Sequence, residues 1–319
     1  MFLVRLLISI SSAAAVMVGA DIVSAQTFPS KPIRIVTSGA GGGSDFDARI
    51  IAQGISGPLG QPVIVDNRGS GAVAAEIVSR SPPDGHSLLI NGSALWILPI
   101  MRKAPYELAD FSPISLLEWS VNLVAVHPSL PVKSVKELID LARAKPGLLN
   151  YASTTVGSRP HLSAELLKSM AGVNIVHVPY KGNALAVAAL ISGEAQLFIS
   201  DVGLLMPHVK SGKIRALAVT SAKPTALAPG MPTVADTGLP GYETTGMTGM
   251  YARANTPRQI INRLNQEIVK MLNRPDIRQR FLDSGLEVVA SSPEELAAYM
   301  KADMSSMAKV IKEAGIKVE

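Results

Sequence analysis

A glycine-rich segment that ends in a serine and an acid is the part of this sequence best suited to hold an anion. Residues 33–37 are an apolar, β-branched run that predicts a buried strand, and the glycines follow close behind it. Glycine lets a backbone approach a ligand, and the first N–H groups of a helix favour negative charge. With Ser44 as the N-cap of a helix ending near Ser56, the segment predicts half of an anion site; a tight turn without a ligand is the alternative. Its members are Gly41, Gly42, Gly43, Ser44 and Asp45.

The same pattern returns later in the chain. Residues 149–152 predict a strand, residues 153–158 a loop of small and polar side chains, and residues 160–170 a helix. Ligands of α/β sheets bind at the carboxyl ends of strands, which is where both segments lie. Two such segments in two similar units predict two lobes that face each other across a cleft.

Strands and helices alternate along most of the chain, which predicts an α/β fold with mixed, mostly parallel sheets flanked by helices. Residues 95–120 lack a clear period and predict an irregular stretch. Helices dominate near the end of the chain and have no sheet of their own to cover, so we expect them to return to the first lobe. The predicted division is a first lobe at 26–124, a second at 125–249 and a return to the first at 250–319.

The first 25 residues have the features of a secretory signal peptide. Arg5 gives a positive start, residues 6–20 are apolar but short for a membrane span, and Val23-Ser24-Ala25 fits a small-x-small cleavage site. The sequence predicts cleavage after Ala25 and export to the periplasm without stable membrane insertion. A retained membrane anchor is the alternative.

Composition narrows the class of ligand. The chain has 319 residues, a net charge of +5 and no cysteine, so disulfides and a lipid anchor on cysteine are excluded. Few aromatic residues and no block of lysines or arginines argue against nucleic acid as a partner. A slightly basic chain suits an anionic small molecule. The five histidines lack metal-type spacing, so we expect no metal site and no cofactor.

Short motifs spread over nearly the whole chain are similar to one known family. They include Phe28-Pro29-Ser30-Lys31-Pro32, Gly41-Gly42-Gly43-Ser44-Asp45, Asp66-Asn67-Arg68, Pro83-Asp84-Gly85, Leu149-Asn150-Tyr151-Ala152-Ser153 and Val178-Pro179-Tyr180-Lys181-Gly182. In order and spacing they resemble the substrate-binding proteins of tripartite tricarboxylate transporters, also called the Bug family of periplasmic receptors.

The resemblance implies a two-lobed periplasmic binding protein that closes on its ligand like a flytrap. It also implies that a carboxylate binds between residues 41–45 of the first lobe and a loop of the second lobe. The matching positions of the second lobe are Ser153, Thr154, Gly157, Ser158 and His161. Ser93 lies on another loop at a strand end, and we expect it to be a third contact. Where the family commonly has an acid that contacts the ligand, this chain has Ser200, with Asp201 one position later.

The function implied by the resemblance is a receptor, expected to be a monomer, that delivers a small carboxylate to the membrane subunits of a transporter. The alternative is an exported hydrolase that uses a cleft serine, with Ser44 and His161 as a conceivable pair. The Gly-x-Ser-x-Gly elbow and the Gly-Lys-Ser/Thr phosphate loop are absent from the sequence, which favours the receptor. Which carboxylate is bound stays open, because Thr37-Ser38 stands where the family often has Pro-Phe.

Overall fold

The computed structural model describes residues 28–41, 43–154 and 156–316. The predicted signal peptide and its cleavage site lie outside these residues, as does Gly42. Within the described ranges, no helix has both the length and the apolar character needed to cross a membrane. The chain forms two lobes on one mixed sheet of ten strands, with helices packed on both faces.

The first lobe begins with three parallel strands, in the order β2, β1, β3. Each is followed by a helix that packs back on the sheet. The strands are β1 (Ile33–Thr37), β2 (Val63–Asn67) and β3 (Ser87–Gly92), and the helices are α1 (Gly43–Leu59), α2 (Gly71–Ser79) and α3 (Ala94–Met101). The loops at the carboxyl ends of these strands therefore meet at one edge of the sheet, as the sequence predicts.

A single long strand, β4 (Phe111–Val126), joins the lobes. Residues 111–121 pair antiparallel with β9 (Thr245–Arg253), and residues 122–126 pair with two strands of the second lobe. The expectation of an irregular stretch at 95–120 is therefore wrong, because α3 and the first half of β4 occupy most of it. Since β4 and β9 each run across a predicted lobe boundary, the boundaries at 124 and 249 stay predictions.

The second lobe repeats the architecture of the first. Its strand β5 pairs in parallel with β6 and β7, while β7 and β8 pair antiparallel with β4. The strands are β5 (Asn150–Ser153), β6 (Val176–Pro179), β7 (Leu197–Asp201) and β8 (Arg215–Val219). The helices are α4 (Val135–Ala144), α5 (Arg159–Ala171), α6 (Asn183–Ser192) and α7 (Val202–Lys210).

The last elements pack on the first lobe and against the junction. They are α8 (Arg258–Leu272), α9 (Pro275–Asp283), β10 (Glu287–Val288) and α10 (Pro293–Glu313). In α8, Ile261, Leu264 and Ile268 fall on one helical face and are buried in the core that includes α1. Burial contributes about 1.5–3 kcal/mol for each such side chain. The C-terminal helices thus cover a sheet that the N-terminal half of the chain builds.

Candidate functional site

Two adjoining cavities occupy the cleft between the lobes. The first, of about 490 Å³, is lined by α3 and the start of α5, and we call it the α5 cavity. The second, of about 530 Å³, is lined by the start of α1 and the turn after α9, and we call it the α1 cavity. Both are bordered by Ser120, Asp201 and Thr248. A ligand that reached from one cavity into the other would contact both lobes.

The structure divides the predicted binding residues between these cavities. Those that line the α5 cavity are Ser93, Gly157 and Ser158. Those that line the α1 cavity are Gly41, Gly43 and Ser44, and Asp201 borders both. Those buried behind the walls are Asp45, Ser153 and His161. Thr154 is only partly buried and contributes to neither wall. Their roles in binding stay a prediction, but the grouping shows which of them one ligand could reach together.

The loop before α1 is held from behind by a carboxylate. Asp45, 4 % exposed, accepts a hydrogen bond from the Gly41 N–H at 2.8 Å and another from the Asn67 amide at 2.9 Å. The hydrogen bond from Arg49 lowers the pKa of Asp45 to about 2, with help from Gly41 and Asn67. Gly41 has a φ of 82°, which favours glycine. The helix begins at Gly43, so the prediction of Ser44 as N-cap is wrong and its side chain lies in the first turn.

The loop before α5 is held by a neutral ring instead. Gly157, with a φ of 78°, donates its N–H to His161 Nδ1 at 2.8 Å. Ser158 is the N-cap, and its hydroxyl accepts the N–H of His161. Burial lowers the pKa of His161 to about 4, and the neighbouring His177 contributes in the same direction. His161 is therefore neutral at neutral pH, as an acceptor at Nδ1 must be.

A buried polar network supports this second loop. The rings of His161 and His177 stack with their centroids 4.2 Å apart, and Ser153 Oγ lies 2.6 Å from His177 Nε2. Behind them Tyr151 and Lys168 both donate to the carboxylate of Glu165, at 2.5 and 2.6 Å. Ser153 and His161 thus take part in hydrogen bonds that hold the loop, and their contact with a ligand stays a prediction.

Cations and hydrogen-bond donors concentrate at the α5 cavity. Arg102 and Arg159 both line it. Arg159 is bound to Asp303, which also accepts the indole N–H of Trp96 at 2.7 Å. Arg102 is exposed and forms no ion pair with any residue in the described ranges. Asn122 is 2 % exposed, and its Nδ2 has no hydrogen-bond partner among the described residues. This wall can donate to an anion.

Acids concentrate at the α1 cavity. Glu118, 3 % exposed, and the partly buried Asp201 line it, and Asp47 is fully buried on α1. Burial raises the pKa of Glu118 to about 8; a hydrogen bond from Thr248 opposes the shift and the charge of Asp201 adds to it. Burial also raises the pKa of Asp201, while burial and the nearby Glu118 raise that of Asp47. No cation among the described residues forms an ion pair with these three acids.

A model of the tripartite tricarboxylate transporter family receptor, TctC, matches residues 47–316. The chain belongs to this family. Its sequence is 31% identical to the protein BugT of Bordetella pertussis over 304 residues, covering 93% of each chain. The predicted resemblance is thus confirmed, and the protein is a solute-binding receptor of the TctC family.

Solved structures of relatives share the receptor's fold. The Rhodopseudomonas palustris protein Rpa4515, solved with adipate, is 35% identical, covers 91% of this chain and 99% of its own, and has a TM-score of 0.74. MatC of the same organism, solved with malate, is 28% identical, covers 89% of this chain and 100% of its own, and has a TM-score of 0.68. The periplasmic binding protein BugD matches with a TM-score of 0.71 at 30% identity, covering 92% of this chain and 100% of its own. The two-lobed α/β fold with a mixed sheet is confirmed.

The hydrolase alternative finds no support in this receptor. Ser44 lines the α1 cavity, whereas His161 is buried behind the other cavity and its Nδ1 already accepts the Gly157 N–H. A general base must reach the proton that it removes, and this ring faces its own loop. The family is one of substrate-binding receptors.

Several cleft residues of the receptor escaped the sequence analysis. On β4, Glu118, Ser120 and Asn122 alternate with Trp119 and Val121 and so point to one face of the strand, where they line the cleft. Three polar residues at a spacing of two within an apolar strand were the available signal. On α1, Asp47 lies one turn before Ile51 and therefore on the buried face, a placement that is costly without a purpose. Glu118, Ser120 and Asn122 give the cleft its polar floor, and Asp47 is buried near Glu118 without lining either cavity.

Proposed function

We propose that this receptor captures a small carboxylate between its lobes and delivers it to the membrane subunits of a tripartite transporter. The observation that carries the proposal is the α5 cavity, which is lined by a helix start, a guanidinium and a buried unpartnered amide. Adipate and malate in the structures of two relatives support the same class of ligand.

The physical basis is a set of donors held in place before the ligand arrives. The positive end of a helix favours an anion by about 0.3–1 kcal/mol. Hydrogen bonds from charged groups such as Arg102 contribute more, about 1.5–3 kcal/mol each. Asn122 is already desolvated, so a carboxylate that accepted its N–H would remove an existing cost. We place the carboxylate of the ligand here.

Closure of the lobes follows from the same geometry. The α5 cavity is lined by residues of both lobes, with Ser93 on one side and Ser158 on the other. A solute that bridges them binds the closed form better than the open form and so shifts the population towards it. In this proposal the mature receptor starts after Ala25, works in the periplasm as a monomer, and presents its closed face to the transporter.

A thermal-shift screen of residues 26–319 tests the proposal. The panel contains mono-, di- and tricarboxylates and aromatic acids, with uncharged amides of the same acids as matched controls. A carboxylate at a hundredfold excess over its Kd adds about 2.7 kcal/mol of apparent stability, and its amide adds none. The substitution Arg102→Met should raise the Kd for the carboxylate at least about tenfold and so reduce the shift in melting temperature. A flat response to every acid after exhaustive dialysis overturns the proposal.

A further inference from the structure

The two ends of the cleft differ in charge. The α5 cavity is lined by Arg102, which forms no ion pair among the described residues, by Arg159, whose partner is Asp303, and by one acid, Asp201. The lining of the α1 cavity contains Glu118 and Asp201 and no lysine or arginine. A protein seldom buries acids without a cation or a set of donors to satisfy them. The cleft therefore has a basic end and an acidic end, joined where the two cavities meet.

Glu118 is the clearest sign that something is to bind at the acidic end. It is 3 % exposed and lines the α1 cavity, and its Oε2 has no hydrogen-bond partner in the described part of the chain. The groups that face it are Asp47 from α1, Asp201 from β7 and the hydroxyl of Thr248 from β9. None of them is a cation. A buried acceptor that lines a cavity and has no partner in the protein can be satisfied by a donor on the ligand.

We infer that the α1 cavity binds the ammonium group of the solute, so that the receptor's ligand is an amino-carboxylic acid held with its carboxylate in the α5 cavity and its amine at Glu118. The inference rests on the proposed function and specifies it further. An ammonium has three donors and a single positive charge, and it fits a site of two acids and a threonine hydroxyl. A bare metal ion fits less well, because the described residues contain no group of three or more His, Asp or Glu side chains placed to hold one.

The field within the cleft gives such a ligand one orientation. Once Glu118 is ionised, at a pH above about 8, a dicarboxylate would place its second charge beside that carboxylate, where like charges repel in a poorly solvated site. An amino acid instead meets opposite charge at each end. Specificity then comes from repulsion of the wrong ligand as much as from attraction of the right one.

Isothermal titration calorimetry with matched pairs of ligands tests this assignment. The pairs are 4-aminobutyrate with succinate, 5-aminopentanoate with glutarate, and 6-aminohexanoate with adipate, so that only the far group changes. At pH 8.5, where Glu118 is mostly ionised, the amino acid should bind at least about tenfold more tightly than its diacid for at least one chain length. If the diacid binds as tightly or more tightly at every length, the inference is overturned while the proposed function stands. If no carboxylate of this panel or of the wider screen binds, the proposed function fails as well.

A pair of substitutions locates the amine. At pH 8.5 the Glu118→Gln variant, which keeps the size of the side chain, should lose at least about tenfold in affinity for the amino acid, with little loss for the diacid. Glu194→Gln is the matched control, because Glu194 is exposed and lies in neither cavity. Equal affinities in wild type and Glu118→Gln overturn the assignment of the amine to this side chain.

The pH dependence of binding has opposite signs for the two ligand types. Because the pKa of Glu118 is about 8 without ligand, raising the pH through that value ionises the side chain. Affinity for the amino acid should therefore rise between about pH 6.5 and pH 8.5, and the Glu118→Gln variant should show no such rise. A fall in wild type over this range, which a protonated Glu118 donating to a ligand oxygen would produce, overturns the inference.

Discussion

The loops that open α1 and α5 use the same device with different acceptors. In each, a glycine with positive φ donates its N–H to a side chain four residues later at 2.8 Å: Gly41 to Asp45, and Gly157 to His161. Both acceptors are buried, at 4 % exposure. Each loop is thus locked from behind, and its outer side is left to face the cleft.

The difference lies in the charge of the acceptor. Asp45 is an anion at any pH above about 2, and it places a negative charge in the first turn of α1. His161 is neutral above about pH 4, and α5 has no acid in its first turn. The positive end of α1 is therefore compensated within the protein, whereas that of α5 is not.

This comparison refines the prediction that both loops hold one carboxylate. The start of α1, whose positive end is offset by Asp45, shares its cavity with Glu118 and is a poor place for an anion. The start of α5 shares its cavity with Arg102 and is a good one. The two loops have similar backbone hydrogen bonds, but their neighbouring side chains favour ligand groups of opposite charge. The two loops should therefore be weakened by different conditions and different substitutions.

The largest expected effect is a loss of stability in acid that originates in the α5 loop. Unfolded His161 takes up a proton near pH 6.5, but the folded protein resists protonation until about pH 4. The unfolded state therefore binds more protons in this range, and the free energy of unfolding falls as the pH falls, by on the order of 3 kcal/mol. Urea denaturation at several pH values between these limits measures the decrease.

His161→Gln is the control for this loss, since a glutamine oxygen can accept the Gly157 N–H and does not titrate. The variant should lose less stability than wild type over the same pH range. Asp45 behaves differently: its pKa is lowered, so its contribution is present above pH 3.8 and disappears only as the pH falls through about 2. Equal losses in wild type and variant would show that His161 is not the source.

The next largest effect is the loss of stability when Asp45, which holds the α1 loop, is removed. Asp45→Ala leaves the Gly41 N–H and the Asn67 amide without their acceptor and should lower the free energy of unfolding by about 2 kcal/mol. Asp276→Ala, at an exposed acid paired with Arg274, is the control and should cost well under 1 kcal/mol. Similar costs for both variants would mean that the loop keeps its shape without Asp45.

What the sequence predicts and what it misses can be seen within these loops. The strand, glycine turn and helix at 33–59 follow from local signals, namely apolar periodicity and the position of the glycines. The acceptors of the loops do not, because Asp45 and His161 are recognised as supports only when Asn67 and His177, on neighbouring strands, are in place. Hydrogen bonds across strands depend on register, and a single sequence does not contain it.

The sequence analysis missed Glu118 for a similar reason. Glu118 lies in a stretch whose apolar residues show no clean alternation, because β4 has irregular register between Leu116 and Glu118. The strand has no exposed face near the junction, so the polar residues at 118, 120 and 122 do not mark a solvent-facing side of the strand. That Glu118 meets Asp201 is a consequence of how the lobes join, and no local pattern contains that information.

A smaller effect should show whether Ser158 binds the ligand in addition to capping α5. Ser158→Ala removes the N-cap of α5 and should cost about 1 kcal/mol of stability. Ser134→Ala is the matched control, because Ser134 caps α4 by accepting the Glu137 N–H and lies outside both cavities. Both variants should lose similar stability, but only Ser158→Ala should weaken carboxylate binding, as measured by calorimetry. Equal affinities in both would remove Ser158 from the binding wall.

The smallest effect is expected at Arg49, which pairs with Asp45 from the solvent side. Its side chain is 60% exposed, and an ion pair of this kind contributes a few tenths of a kcal/mol. Arg49→Met should therefore change the urea midpoint only slightly and leave carboxylate affinity unchanged, since Asp45 keeps its bonds to Gly41 and Asn67. A loss of more than about 1 kcal/mol would show that the guanidinium is needed to hold the carboxylate in place. The charge on the α1 loop would then be nearly cancelled, and the contrast with the α5 loop would rest on Arg102 and Glu118 alone.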